Sequence, residues 1–261
     1  MRTWFTVDTD DIRHLPRYQG HPTRSKRRYA EEASSLSLTF KSGWQAFLNW
    51  MHTHDGIVTI FVITDLLEGE EFPRLLEQAL LAFPHRIYVG CHGHTHRSWS
   101  AWGEDTLGFG QMLEKATGLL HKYAKNAFVP FFRAPNGYVS PWMADVLATH
   151  GYIVDSSVNP SWLVKHKTAG YSWQEVSDAM RQAGLVERPW QTSFTLPVNG
   201  PALFRFPLSS FAKRAWRKAP QMLGVEDMHC IQDPQQTIIT LYCHILDFAR
   251  QKGAWTPPLR P

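Results

Sequence analysis

Six short runs rich in β-branched and aromatic residues, at 3–7, 57–63, 86–90, 127–132, 152–154 and 237–242, recur along the chain. Between them lie segments with helical spacing of apolar residues. These are 42–54 (Trp44, Phe47, Leu48, Met51), 72–82 (Leu75, Leu76, Ala79, Leu80), 107–125 (Met112, Leu113, Leu119, Leu120) and 141–150 (Met143, Val146, Leu147). A continuous apolar run suits a strand buried on both faces, and a strand–helix alternation joins parallel strands. The pattern therefore predicts a mostly parallel sheet with helices outside it, either a barrel or a doubly wound layer. No repeat, low-complexity tract or linker divides residues 1–261, so a single domain is expected. Two stretches break the rhythm and read as loop insertions, at about 12–41 and 156–232. The second is expected to hold loops, a helix near 172–183 and a strand near 203–208.

With 261 residues, 43% apolar and 19% charged, the chain has ample material for a core, and wholesale disorder is excluded. The net charge of +4 conceals an uneven distribution. Residues 12–30 contain no acid and six bases (Arg13, Arg17, Arg24, Lys26, Arg27, Arg28), and residues 188–225 contain no acid and six more (Arg188, Arg205, Lys213, Arg214, Arg217, Lys218). Without those twelve, 15 bases face 23 acids, leaving an acidic body of −8 with two basic segments. Such segments suit an anionic ligand or an anionic membrane surface. No helix-turn-helix, zinc-finger or RNA-binding signature accompanies them, so no nucleic-acid partner is expected. The three cysteines, Cys91, Cys230 and Cys243, form no CxxC pair and cannot all pair with one another, which favours a reducing compartment. The first residues lack the apolar run of a signal peptide, and no stretch approaches the ~18 apolar residues of a membrane span. A cytoplasmic location is the expectation, with peripheral membrane contact left open.

Ionisable residues gather where the predicted strands end, which in parallel β/α folds is the face that carries sites. The first run leads into Asp8-Thr9-Asp10-Asp11, the third into His92-Gly93-His94-Thr95-His96, the fourth into Arg133-Ala134-Pro135-Asn136-Gly137, the fifth into Asp155-Ser156 and the last into His244. His92 and His96 are four apart, so a helical turn after Gly90 would put both imidazoles on one face, able to chelate one divalent ion. A carboxylate from another strand end would complete a His/His/Asp set with open positions, the arrangement that activates water. Asp10 and Asp11 suit a division in which one carboxylate binds metal and its neighbour takes a proton. The competing reading makes the acids turn or cap residues and His244 a core histidine.

The order Asp-Asp, HGHTH, RAPNG, DSS and LYCH resembles the polysaccharide deacetylases with a NodB homology domain, carbohydrate esterase family four, across about residues 3–245. The resemblance implies a distorted (β/α) barrel of about seven parallel strands and a metal-dependent hydrolase that removes an N-acyl group from an amino sugar. It implies Asp10 as general base, Asp11, His92 and His96 as ligands of a divalent ion, most simply Zn²⁺, and Arg133 as the residue that orients the base. Asn136 and Gly137 would hold the oxyanion, Asp155 and Ser156 match the fourth motif, Trp162 would wall the pocket, and His244 would be the general acid. Because the family's TFDDG is VDTDD here, a second register stays open, with Asp8 as base and Asp10 as ligand. Where many relatives place Glu before Pro-x-Ser, this chain has Arg205, an exchange of an acceptor for a bidentate anion donor.

The resemblance thus points to carbohydrate metabolism. The absence of an export signal favours an intracellular nucleotide- or lipid-linked saccharide of surface glycan synthesis, bearing phosphate, as substrate. Hydrolysis of a ureide or formamide, or a non-catalytic binding module, are the competing functions.

Overall fold

The computed structural model describes residues 1–29 and 35–259. Residues 30–34, inside the expected first insertion, and 260–261 at the end of the expected domain lie outside the described residues. Seven strands form one sheet: β1 (Arg2–Asp8), β2 (Val58–Val62), β3 (Ile87–Cys91), β4 (Phe128–Phe132), β5 (Val154–Asp155), β6 (Val186–Glu187) and β9 (Ile238–His244). Their order is β6-β5-β4-β3-β2-β1-β9, and every neighbouring pair is parallel. Past β6 the chain reaches the far edge, where the Gln191 N–H donates to the Thr240 carbonyl at 3.0 Å and Trp190 bridges Thr240. One bridge in place of a full ladder makes the closure a distorted (β/α) barrel. Helices α1 (Leu38–Met51), α2 (Glu71–Ala82), α3 (Thr106–Ala124) and α4 (Met143–Thr149) follow the strands as the spacing predicts.

Strand alternation decides what faces the barrel axis. Trp4, Phe61, Val129, Phe131 and Val154 form one buried cluster, with Trp4 edge-on to Phe61 and Phe131 at ring distances of 6.0 and 5.9 Å. The alternate residues Phe5, Val7, Ile60, Val62, Val89 and Phe132 belong to the larger core beneath the helices. A two-residue period carried past Trp4, Phe131 and Ile238 brings Asp8, Arg133 and His244 to the inner face at the strand ends. Register levels these ends, since Asp8 pairs with His244, Phe132 with Asp155, and Asp155 with Glu187.

In the 156–232 stretch, α5 (Trp173–Gln182) matches the expected helix and opens on a Ser172–Glu175 capping box. The strand expected near 203–208 is absent. Gly200–Leu203 is a 3-10 turn and α6 (Leu208–Arg217) follows it. Pro201 and Pro207 remove ladder donors there, and Ala212 and Trp216 give the helix one buried stripe, with the Trp216 indole donating to the Val198 carbonyl at 2.9 Å. The short strand β6 and a hairpin of β7 (Thr192–Ser193) and β8 (Leu196–Pro197) carry too few residues for periodicity to reveal. No helix among the described residues is long and apolar enough to cross a membrane.

Candidate active site

A cleft of about 90 Å³ opens where the strand ends meet, lined by Asp8, Asp10, His92, His96, His244 and Tyr242 among others. The two histidines converge without a helix. The chain beyond β3 is a loop in which Gly93 (φ +77°) and His96 (φ +54°) take left-handed backbone, so the expected helical turn is replaced by two tight reversals. Each imidazole spends its Nδ1–H on a backbone carbonyl, His92 on Arg133 at 2.8 Å and His96 on His14 at 2.7 Å. That leaves both Nε2 atoms turned to Asp10, at 4.0 Å from His92 to Oδ2 and 2.7 Å from His96 to Oδ1. Backbone acceptors that fix the tautomer in this way are a hallmark of metal-ligating histidine. Asp10, His92 and His96 are buried, and their candidate ligand atoms lie within 4.8 Å of one another. Asp10 Oδ2 is also buried with no hydrogen-bond partner, an unsatisfied acceptor that a cation would satisfy. The donor set therefore fits a divalent ion.

Asp11 is not part of this group. Its carboxylate caps the turn Ile12–His14, accepting the Ile12 N–H at 2.6 Å, and also accepts the Ser37 N–H at 2.9 Å and the Ser37 hydroxyl. Its own N–H donates to His14 Nδ1 at 2.9 Å, while His14 Nε2 meets Asp65 at 3.0 Å. This network fixes the backbone whose carbonyl holds His96. Asp11 thus sits one step behind the cluster, whereas Asp8 and Asp10 both line the cleft.

Asp8 is gripped by Arg133. The buried guanidinium donates to Asp8 Oδ1 at 2.7 Å and to Ser156 through its carbonyl and hydroxyl, at 3.1 and 3.0 Å, and lies 4.2 Å over the Phe61 ring. His244 is held on the opposite side, its Nδ1 3.2 Å from Asp247 Oδ2 and its Nε2 3.8 Å from Asp10.

Burial works against charge at each of these groups, and its balance with the neighbours sets the outcome. Asp10 would be raised by burial, yet His96, with its hydrogen bond, and then His244 and His92 hold it well below 3.8. Burial drives His92 down to about 4 against the pull of Asp8 and Asp10, leaving it neutral and able to ligate at neutral pH. For His244 burial is again the largest influence, but the Asp247 hydrogen bond and the charge of Asp10 overcome it and lift the imidazole to about 9. It is therefore protonated at neutral pH.

Two residues with expected site roles, Asp155 and Trp162, stand outside the cleft, and two more line it by their backbone turn. Asp155 is buried behind Arg133, accepting the Ser157 N–H and hydroxyl at 2.9 and 2.7 Å, and is not among the residues lining the cleft. Trp162 is 62% exposed at the start of a 3-10 helix and does not line the cleft; Trp190 and Tyr242 wall it instead. Asn136 and Gly137 line it by their turn, but the Asn136 side chain donates to Ser98 at 3.1 Å and the Gly137 N–H goes to the Ala134 carbonyl at 2.9 Å. Gly137 is at φ +67°, and a Cβ there would meet the Trp190 ring at 2.9 Å.

Sequence patterns gave no notice of Glu187, Asp247, Tyr242, Trp190 or Lys167, since each lies outside the quoted motifs or beside apolar residues. Glu187 offers a direct test. Burial, then the charge and hydrogen bond of Asp155, hold its carboxyl well above 4.5. The folded chain then keeps a proton that the unfolded chain releases, so the protonated fold is at full strength below pH 4.5 and weakens as pH rises toward the shifted value. Glu187→Gln should therefore match wild type near pH 5 and gain on it by pH 8 in urea unfolding. A variant that loses more stability at pH 8 than at pH 5 would show a charged Glu187 in the fold.

Residues 28–154 match the family model described as polysaccharide deacetylase. A candidate polysaccharide deacetylase from Mycobacterium smegmatis shares the fold, at a TM-score of 0.60 and 18% identity over 97% of this chain and 79% of that one. The carbohydrate esterase family four domain of a multidomain xylanase from the hindgut metagenome of Trinervitermes trinervoides matches at 0.44 and 10% over 97% and 78%. The chitin deacetylase of Colletotrichum lindemuthianum matches at 0.41 and 11% over 72% and 84%. Curated protein sequences yielded no match.

Proposed function

We propose that this protein is a metal-dependent hydrolase that removes an N-acetyl or N-formyl group from an amino sugar. The observation that carries the reading is the unsatisfied Asp10 carboxylate facing two histidines whose other nitrogens are fixed by backbone carbonyls. Asp10, His92 and His96 would hold the ion, and two imidazoles with one carboxylate favour Zn²⁺. When bound, it supplies a Lewis acid for the acyl carbonyl and lowers the pKa of water.

The remaining roles belong to the chain. Asp8, fixed by Arg133, accepts the proton of the attacking water. The Asn136 backbone N–H, on the turn lining the cleft, serves the developing oxyanion. His244, protonated and held by Asp247, donates its Nε2 proton to the departing amine. The reading extends to a phosphate-bearing, nucleotide- or lipid-linked amino sugar handled inside the cell, supported by the basic segments.

The test is a panel of N-acetyl and N-formyl amino sugars, ureides and formamides, with metal content measured on the same sample. Release of acetate or formate from a sugar by protein with one bound ion is the expected result. Hydrolysis confined to a ureide or formamide would move the protein to the competing amidase reading. Absence of both metal and hydrolysis would leave a binding module.

A further inference from the structure

Each acid-free basic segment brings one cation close enough to act on a lysine of the cleft wall. Lys167, on the 3-10 helix Trp162–Thr168, is one of its lining residues. Its Nζ donates to the Asn136 carbonyl at 2.6 Å and stands 5.5 Å from the centre of the Tyr138 ring. Arg24 comes from the first segment, on a turn whose Thr23 and Arg24 N–H groups both donate to His21 Nδ1 at 3.2 Å. That turn is pinned to the cleft wall by His21 Nε2, 3.0 Å from the Tyr138 hydroxyl. Arg205 comes from the second segment, just after Pro201, another lining residue. Both guanidinium charges act on Lys167, which burial first and these neighbours second lower to about 8. Among the described residues no carboxylate lies within ion-pair distance of Lys167, Arg24 or Arg205.

Three cations with no ion-pair partner among the described residues repel one another, and hydrolysis of a neutral N-acyl sugar employs none of them. Such a cluster fits a polyvalent anion, and the forked donors of arginine match phosphate oxygens. We infer that Lys167, Arg24 and Arg205 form a phosphate subsite at the edge of the catalytic cleft, so that the substrate is an amino sugar carrying a phosphate or diphosphate ester. The inference rests on that proposed function and adds to it the residues that hold the phosphate.

The probe is N-acetylglucosamine 1-phosphate, titrated against N-acetylglucosamine into zinc-loaded protein, with zinc content measured before and after. The phosphorylated sugar should bind at least about 10-fold more tightly. Arg24→Glu and Arg205→Glu should each remove about 10-fold of that preference while keeping stoichiometric zinc. Cosedimentation with phosphatidylglycerol vesicles separates the sources. Vesicle binding lost in both variants assigns the phosphate to a lipid carrier, and no vesicle binding assigns it to a soluble ester. Equal affinity for the two sugars, in protein that holds zinc and releases acetate, would overturn the subsite and leave the deacetylase reading intact. Failure of zinc binding and hydrolysis would overturn that reading, while the same titration into metal-free protein would still decide the subsite.

Discussion

Replacing Asp8 with Asn is expected to lower kcat by about 10²–10⁴-fold, the range of a general base, with zinc still bound stoichiometrically. The expectation comes from the separation of two carboxylates that neighbour one another in sequence and alternate along one strand end. Asp8 gives one oxygen to Arg133 at 2.7 Å, and its other lies 3.9 Å from His92 Nε2. The guanidinium fixes the rotamer, so the second oxygen is presented to the cleft rather than to the sheet. Asn keeps the shape and the acceptor for Arg133 but cannot take a proton from water. Asp11→Asn makes the contrast. It weakens a cap and the contacts to Ser37, at a cost of about 1 kcal/mol in unfolding free energy, with a far smaller effect on kcat. With Asp10 as base and Asp11 as ligand the pattern reverses: Asp11→Asn would lose zinc, and Asp8→Asn would keep its activity. Single-turnover rates and zinc content of the two variants separate the registers.

Most of the architecture was legible because it depends on composition periods that a chain must display. The first four helices and five of the seven sheet strands carry enough residues to show their spacing, the two-residue β5 was marked by its apolar run, and chemistry at strand C-termini follows from parallel topology. Convergence of His92 with His96 was legible for the wrong reason. Spacing of four suggested a helix, whereas left-handed backbone at Gly93 and His96 brings them together, and a positive φ at a histidine leaves no mark in a pattern. The choice between Asp10 and Asp11 was not legible, because adjacent acids are equivalent in a string. Period-2 alternation continued past Asp8 turns Asp10 to the cleft, and Ser37, a cap partner from the next helix, draws Asp11 away. Trp162 failed as a pocket wall because an insertion without periodicity gives no orientation, and the aromatic that faces the cleft, Trp190, comes from the segment that closes the barrel.

Zinc should stabilise the fold by an amount that the ligand set controls. An ion that binds only the folded chain contributes RT ln(1 + [L]/Kd), about 4 kcal/mol at 1,000 times Kd. For a chain of this size that corresponds to a rise in Tm of roughly 8–16 °C over chelator-treated protein. Asp10→Asn should remove most of the rise, because it neutralises the one carboxylate in a cluster whose imidazoles are aimed by His14 and Arg133 carbonyls. His92→Ala should do the same without touching Asp10, and it also tests geometry, since the Arg133 carbonyl then loses its donor while the Arg133 grip on Asp8 persists. The readout does not depend on turnover, so it separates holding the ion from using it. A full zinc-dependent rise in Asp10→Asn, or its loss in Asp11→Asn, would place the ion outside Asp10, His92 and His96. Loss in Asp10→Asn and His92→Ala, with Asp8→Asn retaining the rise but not the turnover, would divide the two inward-facing acids between ligation and proton transfer.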